Sequence, residues 1–300
     1  MRIHHLNCIS SCPLGGRLMD DGVESILHRG HLTNHCLLIE TSESLVLVDT
    51  GFGLNDVKDP SSRLSHFFLN LVKPDFREEM TAYRQVEQLG LNPKDVRHII
   101  LTHLDFDHAG GLDDFPWAKV HLLNAEKEYA FLQKTWLDRQ RFRPEQWSTR
   151  NNWIGYEPDE GEGWFGFNLV RKLEGLPPEI LLVPLIGHTF GHAGVAIKVE
   201  NGWYLLTGDA YFFHEEMHPA EPRCTSGLAF YQRMMDKNHK LRVWNQQRLR
   251  ELKRDHSDKI EIFCSHDVEE FERLTGRSAQ IPIEKMTWTG SMNFPYDEMG

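Results

Sequence analysis

Residues 102–111 read THLDFDHAGG, which places His103, Asp105, Asp107 and His108 within six residues of one another. Imidazole nitrogens and carboxylate oxygens are the usual ligands of Zn²⁺ and its neighbours, and clusters this dense are uncommon otherwise. The run VRHIIL at 96–101 precedes them and has the apolar, β-branched character of a buried strand. If the chain stays extended past Leu101, His103 and Asp105 point to the same side, because strand side chains alternate. Asp107 and His108 then lie on the turn, and Ala109, Gly110 and Gly111 let the backbone pass close to whatever the side chains hold. This spacing suits two adjacent metal ions better than one. The competing reading is a polar loop whose histidines are satisfied by backbone carbonyls.

The elements that must position these groups can be read along the chain. Strands are expected at 3–8, 35–40 and 45–49, the last two forming a hairpin. Residues 64–72, SHFFLNLV with a leading Leu64, read as a short and very apolar helix inside an insertion at 53–76. Such a helix packs on the body, covers the site or meets another subunit, so a homodimer is one expected partner arrangement. An amphipathic helix at 78–89 stops at Gly90 and returns to the strand before the motif. A strand at 119–123 leads to a helix at 124–133 with Asn124 as its N-cap. Residues 136–167 then hold Trp136, Trp147, Trp153, Trp164, Phe142, Tyr156, Phe165 and Phe167 in an irregular stretch that either walls a pocket or anchors a loop. Strands follow at 180–184, 195–199, 203–207 and 259–264, the middle pair turning at Asn201-Gly202. Between 212 and 256 lies a third insertion with a long helical pattern.

Bulk properties narrow the partners. The formal net charge is −11 and no basic run of five or more occurs, so nucleic acid is not an expected partner. No stretch is long and apolar enough to be read as a membrane span, and the simplest expected location is the cytoplasm. Five cysteines, Cys8, Cys12, Cys36, Cys224 and Cys264, show no Cys-x-x-Cys spacing, which argues against both a disulfide framework and a zinc ribbon.

The 102–111 motif resembles the His-x-His-x-Asp-His signature of the metallo-β-lactamase fold superfamily, with Asp105 standing where the second His usually does. Four further segments match in the same order. They are VDTG at 48–51, LIGHTFGH at 185–192 (similar to the Pro-Gly-His-Thr-Pro-Gly-His loop), GDAY at 208–211, and SHD at 265–267. The resemblance implies a mixed α/β fold, a four-layer αββα sandwich of the metallo-β-lactamase type, over a single domain spanning 1–300 with insertions near 53–76, 136–167 and 212–256. It also implies a ligand set. One metal takes His103, Asp105 and His188, the other Asp107, His108 and His266, with Asp209 and a water or hydroxide between them. Asp49 would orient a ligand from behind, and His192 would be structural or support a ligand in the same way. His4, His5, His31 and His35 are left outside the metal site.

What the resemblance implies chemically is hydrolysis. Two cations roughly 3.5 to 4 Å apart lower the pKa of a shared water towards about 7. The motifs look most like those of the N-acyl homoserine lactonases and their relatives that accept esters and phosphotriesters. The expected reaction is opening of a lactone or cleavage of an ester of a fairly apolar small molecule, with Asp107, Asp209 and Tyr211 as catalytic residues and Tyr211 assisting the leaving oxygen. Phosphotriester or thioester hydrolysis is the alternative, and a diiron redox protein is the rival from another class. Zinc is the first expectation for both ions. Asp105 would add a negative charge and a hard oxygen ligand, favouring Fe or Mn at its site.

Overall fold

The computed structural model describes residues 1–147, 152–157 and 161–279. Among these, twelve strands form two six-stranded sheets. The first contains β1 (Arg2–Asn7), β2 (His35–Glu40), β3 (Leu45–Val48), β4 (Val96–Ile100), β5 (Lys119–Leu123) and β6 (Trp153–Tyr156), in that spatial order. In the second, β7 (Glu162–Trp164), β8 (Phe167–Lys172), β9 (Ile180–Pro184), β10 (Ala193–Val199), β11 (Gly202–Leu206) and β12 (Ile260–Phe263) are likewise neighbours in sequence order.

Period-two alternation explains why two sheets stack. In β2, Leu37 and Ile39 face the second sheet with Val46, Val48 and Ile100, where they meet Leu182, Val195, Ile197 and Leu206. Cys36 and Leu38 face the other way, against Ala82 and Val86 of the helix Ala82–Gln88 and Ala130 of the helix Asn124–Leu132. On the far side of the second sheet, Leu181, Val183 and Ile262 pack on Leu249 and Leu252 of α8. Both sheets are therefore buried on both faces, which gives the four-layer αββα sandwich. The helices are α1 (Leu54–Lys58), α2 (Pro60–Arg63), α3 (His66–Val72), α4 (Ala82–Gln88), α5 (Asn124–Leu132), α6 (Trp136–Arg141), α7 (Ser226–Met235), α8 (His239–His256) and α9 (Val268–Thr275).

Three local expectations are corrected. Asn124 does not cap α5: Leu123 occupies the cap position, and the Asn124 side-chain amide donates to Glu157 instead. The 136–167 stretch is less irregular than its composition suggests, since it carries α6 and contributes β6 to the edge of the first sheet. Its aromatics mostly anchor. Trp147 is buried and stacks on Phe131 at 4.6 Å, and Trp164 is buried against Trp203. The single long pattern in 212–256 is two helices, α7 and α8, separated at Asp236 to Asn238. The apolar helix α3 packs on the body, with Phe68 stacked on Phe106 at 4.6 Å inside the ligand motif.

Candidate metal centre

The ligand-bearing loops leave the C-terminal ends of five strands, β3, β4, β9, β11 and β12, so they converge on one rim between the sheets. Backbone bonds tie these loops across the two sheets, with Ala193 N–H donating to Thr102 O (2.9 Å) and His35 N–H to Ser265 O (2.8 Å), while Ser265 N–H donates to Gly208 O (3.2 Å) within the second sheet. Two glycines permit the close approach. Gly51 has φ +61°, and a Cβ there would lie 2.4 Å from the Cys8 carbonyl oxygen. Gly208 has φ +55°, and its Cβ would lie 2.7 Å from His192 Nε2.

Two groups of side chains that could hold a metal ion result: His103, Asp105, His188 and Asp209 in one, Asp107, His108 and His266 in the other. In the first, Asp105 Oδ2 is 3.3 Å from His103 Nε2 and 3.1 Å from His188 Nε2, while Asp209 Oδ2 is 3.3 Å from His188 Nε2 and 3.7 Å from His103 Nε2. Four ligands at about 2.0–2.1 Å from a tetrahedral ion sit about 3.3–3.4 Å apart, so these edges fit one ion. In the second, Asp209 Oδ1 is 3.2 Å from both His108 Nε2 and His266 Nε2, and Asp107 Oδ2 is 3.8 Å from His266 Nε2. The two oxygens of Asp209 thus face different groups. His103 Nε2, His108 Nε2 and Asp209 Oδ1 are buried without a hydrogen-bond partner. Buried polar atoms left bare cost about 1–3 kcal/mol each, and atoms that converge without bonding one another are what an ion would satisfy.

The opposite ring nitrogens are held from behind. His108 Nδ1 donates to Asp49 Oδ2 at 2.8 Å, His266 Nδ1 to the Thr33 carbonyl at 2.8 Å, and His103 Nδ1 to Thr102 Oγ1 at 2.9 Å. The Thr102 hydroxyl in turn donates to Asp49 Oδ2, and Thr102 N–H to Asp49 Oδ1, both at 2.8 Å. Asp49 itself has φ +55°, a left-handed conformation unusual for Asp, and its carboxylate bonds hold it there. His192 keeps its proton on Nδ1 for the Leu185 carbonyl, so Nε2 accepts the Asp209 backbone N–H at 2.9 Å. Burial pushes His192 down to about 3, which keeps it neutral in that role. Burial also opposes charging of His108 and His266, but the surrounding carboxylates outweigh it and raise both.

Tyr211 is not brought to the ligands. Its hydroxyl donates to Glu270 Oε1 at 2.8 Å inside the core between the second sheet and α8. The residue after it, Phe212, reaches the centre instead and stacks on His266 at 4.7 Å. Phe212 also meets Tyr231 of α7 edge-on at 5.8 Å. Burial, then the carboxylates of Asp107, Asp105 and Asp209, push the Tyr231 phenol well above its ordinary value, so it remains a donor. The four histidines left outside the site stay outside: His4 bonds Glu40, His5 bonds His35, and His31 bonds Ser10.

Two further residues carry no motif. Glu126 of α5 accepts from Leu104 N–H at 2.9 Å on one oxygen, and from Thr189 Oγ1 and Gly191 N–H on the other, clamping the two loops that bear His103 and His188. Arg141, the last residue of α6, is fully buried and forks onto Asp105, with Nε 2.6 Å from Oδ1 and Nη2 bonded to Oδ2. The expected extra negative charge at Asp105 is therefore compensated inside the protein. A lone carboxylate in the motif was a signal that a countercharge must exist, but nothing in the sequence singles out one of 33 Lys and Arg residues.

Comparison with known proteins agrees with this geometry. The Metallo-beta-lactamase superfamily model matches residues 29–243. The probable metallo-hydrolase of Mycobacterium tuberculosis is 38% identical over 91% of this chain and 82% of its own length. The N-acyl homoserine lactonase AiiA of Bacillus thuringiensis subsp. kurstaki is 28% identical over 86% of this chain and 92% of its own. Among solved structures, an N-acyl homoserine lactone hydrolase with N-hexanoyl-L-homoserine at its catalytic metal center superposes with a TM-score of 0.67 at 23% identity, covering 92% of this chain and 96% of that one. The stacked sheets, the order of the converging loops and the span of the match lead to one conclusion: the chain belongs to the metallo-β-lactamase superfamily, as a hydrolase with lactonase-like relatives.

Proposed function

We propose that this protein is a dinuclear metal-dependent hydrolase that opens a lactone or cleaves an ester of a fairly apolar small molecule. The observation that carries the reading is the division of Asp209, whose two oxygens face separate histidine sets at 3.2–3.7 Å. His103, Asp105 and His188 would hold one cation, Asp107, His108 and His266 the other, with Asp209 joining them. Two divalent ions, zinc first, would supply Lewis acidity and a water acidified towards neutrality.

The chain's own groups do the remaining work. Asp49, Thr102 and the Thr33 carbonyl fix the ring tautomers so that each Nε2 lone pair faces inward. Asp107, with 13% of its side chain exposed, is the most open of the candidate ligands, and we take it to mark the side from which substrate enters. Phe106 and Phe68, with Leu137, Met234 and Met235, make the neighbouring packing apolar, which supports a substrate with an acyl or aryl portion. Tyr231 takes the part expected of Tyr211, offering its hydroxyl proton to the substrate's carbonyl or departing oxygen.

The lactonases among the relatives support the lactone arm. The test is a panel of acyl lactones, aryl esters, thioesters and phosphotriesters with metal-loaded protein. Turnover of lactones or carboxylic esters is expected. Silence across the panel, or oxygen consumption with stoichiometric iron, would sink the reading.

A further inference from the structure

Among the described residues, Arg141 is the one guanidinium buried at the centre, and its placement follows from the backbone. Thr135 and Asp138 cap α6, the helix ends at Arg141, and Phe106 N–H donates to the Arg141 carbonyl at 3.1 Å while Asp105 bridges to Phe142. The side chain is thereby delivered alongside Asp105. All three of its nitrogens are engaged: Nε and Nη2 on the two Asp105 oxygens, and Nη1 on the Met235 carbonyl of α7 at 2.5 Å. Nη2 also lies 2.8 Å from His188 Nε2 and donates to its lone pair. A planar fork matched to a carboxylate is a task for Arg rather than Lys.

Two consequences follow. Asp105 and Arg141 together carry no net charge, so the pair substitutes electrostatically for a neutral imidazole. And the lone pair that His188 would offer to a cation is already shared with a guanidinium, whereas His108 Nε2 has no hydrogen-bond partner and faces a carboxylate. We propose that Arg141 is the resident countercharge of the Asp105 half of the centre, a positioning residue that lets an aspartate replace a ligand imidazole and makes the two metal sites fill unequally, the Asp107–His108–His266 site first. This rests on the dinuclear reading above. A merely structural Arg141, tying α6 to α7 through Met235, would give no coupling between positions 105 and 141.

The experiment counts metal equivalents retained by full-length protein after loading with Co²⁺ and desalting, with stepwise affinities from the visible absorption of bound Co²⁺. Wild type is expected to bind two equivalents in two resolved steps. Asp105→His alone should retain one, because the uncompensated guanidinium then faces the cation. Asp105→His combined with Arg141→Gln, a shorter neutral side chain whose amide ends where Nε stood, should recover the second. Arg141→Gln alone should tighten the second step by about tenfold or more, since a like charge has been removed. Retention of two equivalents by Asp105→His, no recovery in the double variant, or an unchanged or weakened second step in Arg141→Gln would overturn the inference. Fewer than two equivalents in wild type would instead overturn the dinuclear reading on which it rests.

Discussion

The two halves of the candidate metal centre are made of different materials. In the Asp107 half, His108 and His266 are each backed by an oxygen acceptor, the Asp49 carboxylate and the Thr33 carbonyl, and the inward nitrogen of each lies 3.2 Å from the Asp209 carboxylate. In the Asp105 half, one ligand is an aspartate already clamped by an arginine, and His188 Nδ1 is buried without a partner. One half is preorganised for a cation by its supports. The other is preorganised by a cation of its own. Fixed supports behind a ligand raise metal affinity, whereas an internal guanidinium lowers it while keeping the metal-free protein stable. Equal ligand counts therefore do not make equal sites.

The largest effect should come from the residue that erases the distinction. Asp209→Ala removes an oxygen from each half, so metal content should fall below about one equivalent per chain and turnover to background. Elemental analysis and the lactone assay check both, and a variant that kept two ions would break the bridging role. Next, Arg141→Ala leaves Asp105 buried without its partner and should cost the metal-free protein about 3–5 kcal/mol. The loss should be smaller when metal is bound, because a cation then faces Asp105; thermal melts with and without metal measure the gap. On the other half, Asp49→Asn should weaken metal binding by about 10–100-fold, chiefly through His108, which Asp49 holds directly, and to a smaller extent at the Asp105 half through Thr102 behind His103. Competition with a chromophoric chelator would reveal it, and an effect confined to the weaker site would reverse the assignment of halves.

Smaller effects separate the two tyrosines. Tyr231→Phe should lower kcat by about tenfold with metal content unchanged. Tyr211→Phe should leave kcat alone and cost stability by about 1–3 kcal/mol, because Glu270, pushed by burial to about 7, loses a donor. The opposite pattern would restore Tyr211 to the mechanism. Last is pH. The carboxylates around His108 and His266 raise both in the metal-free centre, so each holds a proton to higher pH than a free imidazole and a cation must compete with it. Affinity should climb as pH rises and level off above the raised values. Calorimetry in two buffers of different ionisation enthalpy should show proton release, and buffer-independent heats would contradict it.

How much of this was legible beforehand depended on whether the signal was local. Strand alternation at 35–40 and 45–49 and the Asn201-Gly202 turn are set by neighbours in sequence, and β2, β3, β10 and β11 stand where expected. His103, Asp105, Asp107 and His108 lie within one turn, and His188, Asp209 and His266 end strands, so the seven could be gathered from short motifs. Arg141 and Glu126 could not. Each acts through a tertiary contact spanning 36 or 22 residues, and each sits in a helix whose sequence gives no hint of the partner. Tyr211 misled for the reverse reason: it stands beside a ligand in sequence, but strand-end geometry turns it into the core and leaves Phe212 at the centre. Asn124 had the right residue type for a cap and was claimed by Glu157 instead.

Under the reading proposed above, seven side chains hold two ions bridged by Asp209. Anomalous diffraction from crystals of metal-loaded protein, collected at the edge of the bound metal, tests it most directly. Two peaks about 3.5–4 Å apart are expected, one against His103, Asp105 and His188 and the other against Asp107, His108 and His266. A single peak, or a second ion away from Asp209, would contradict it.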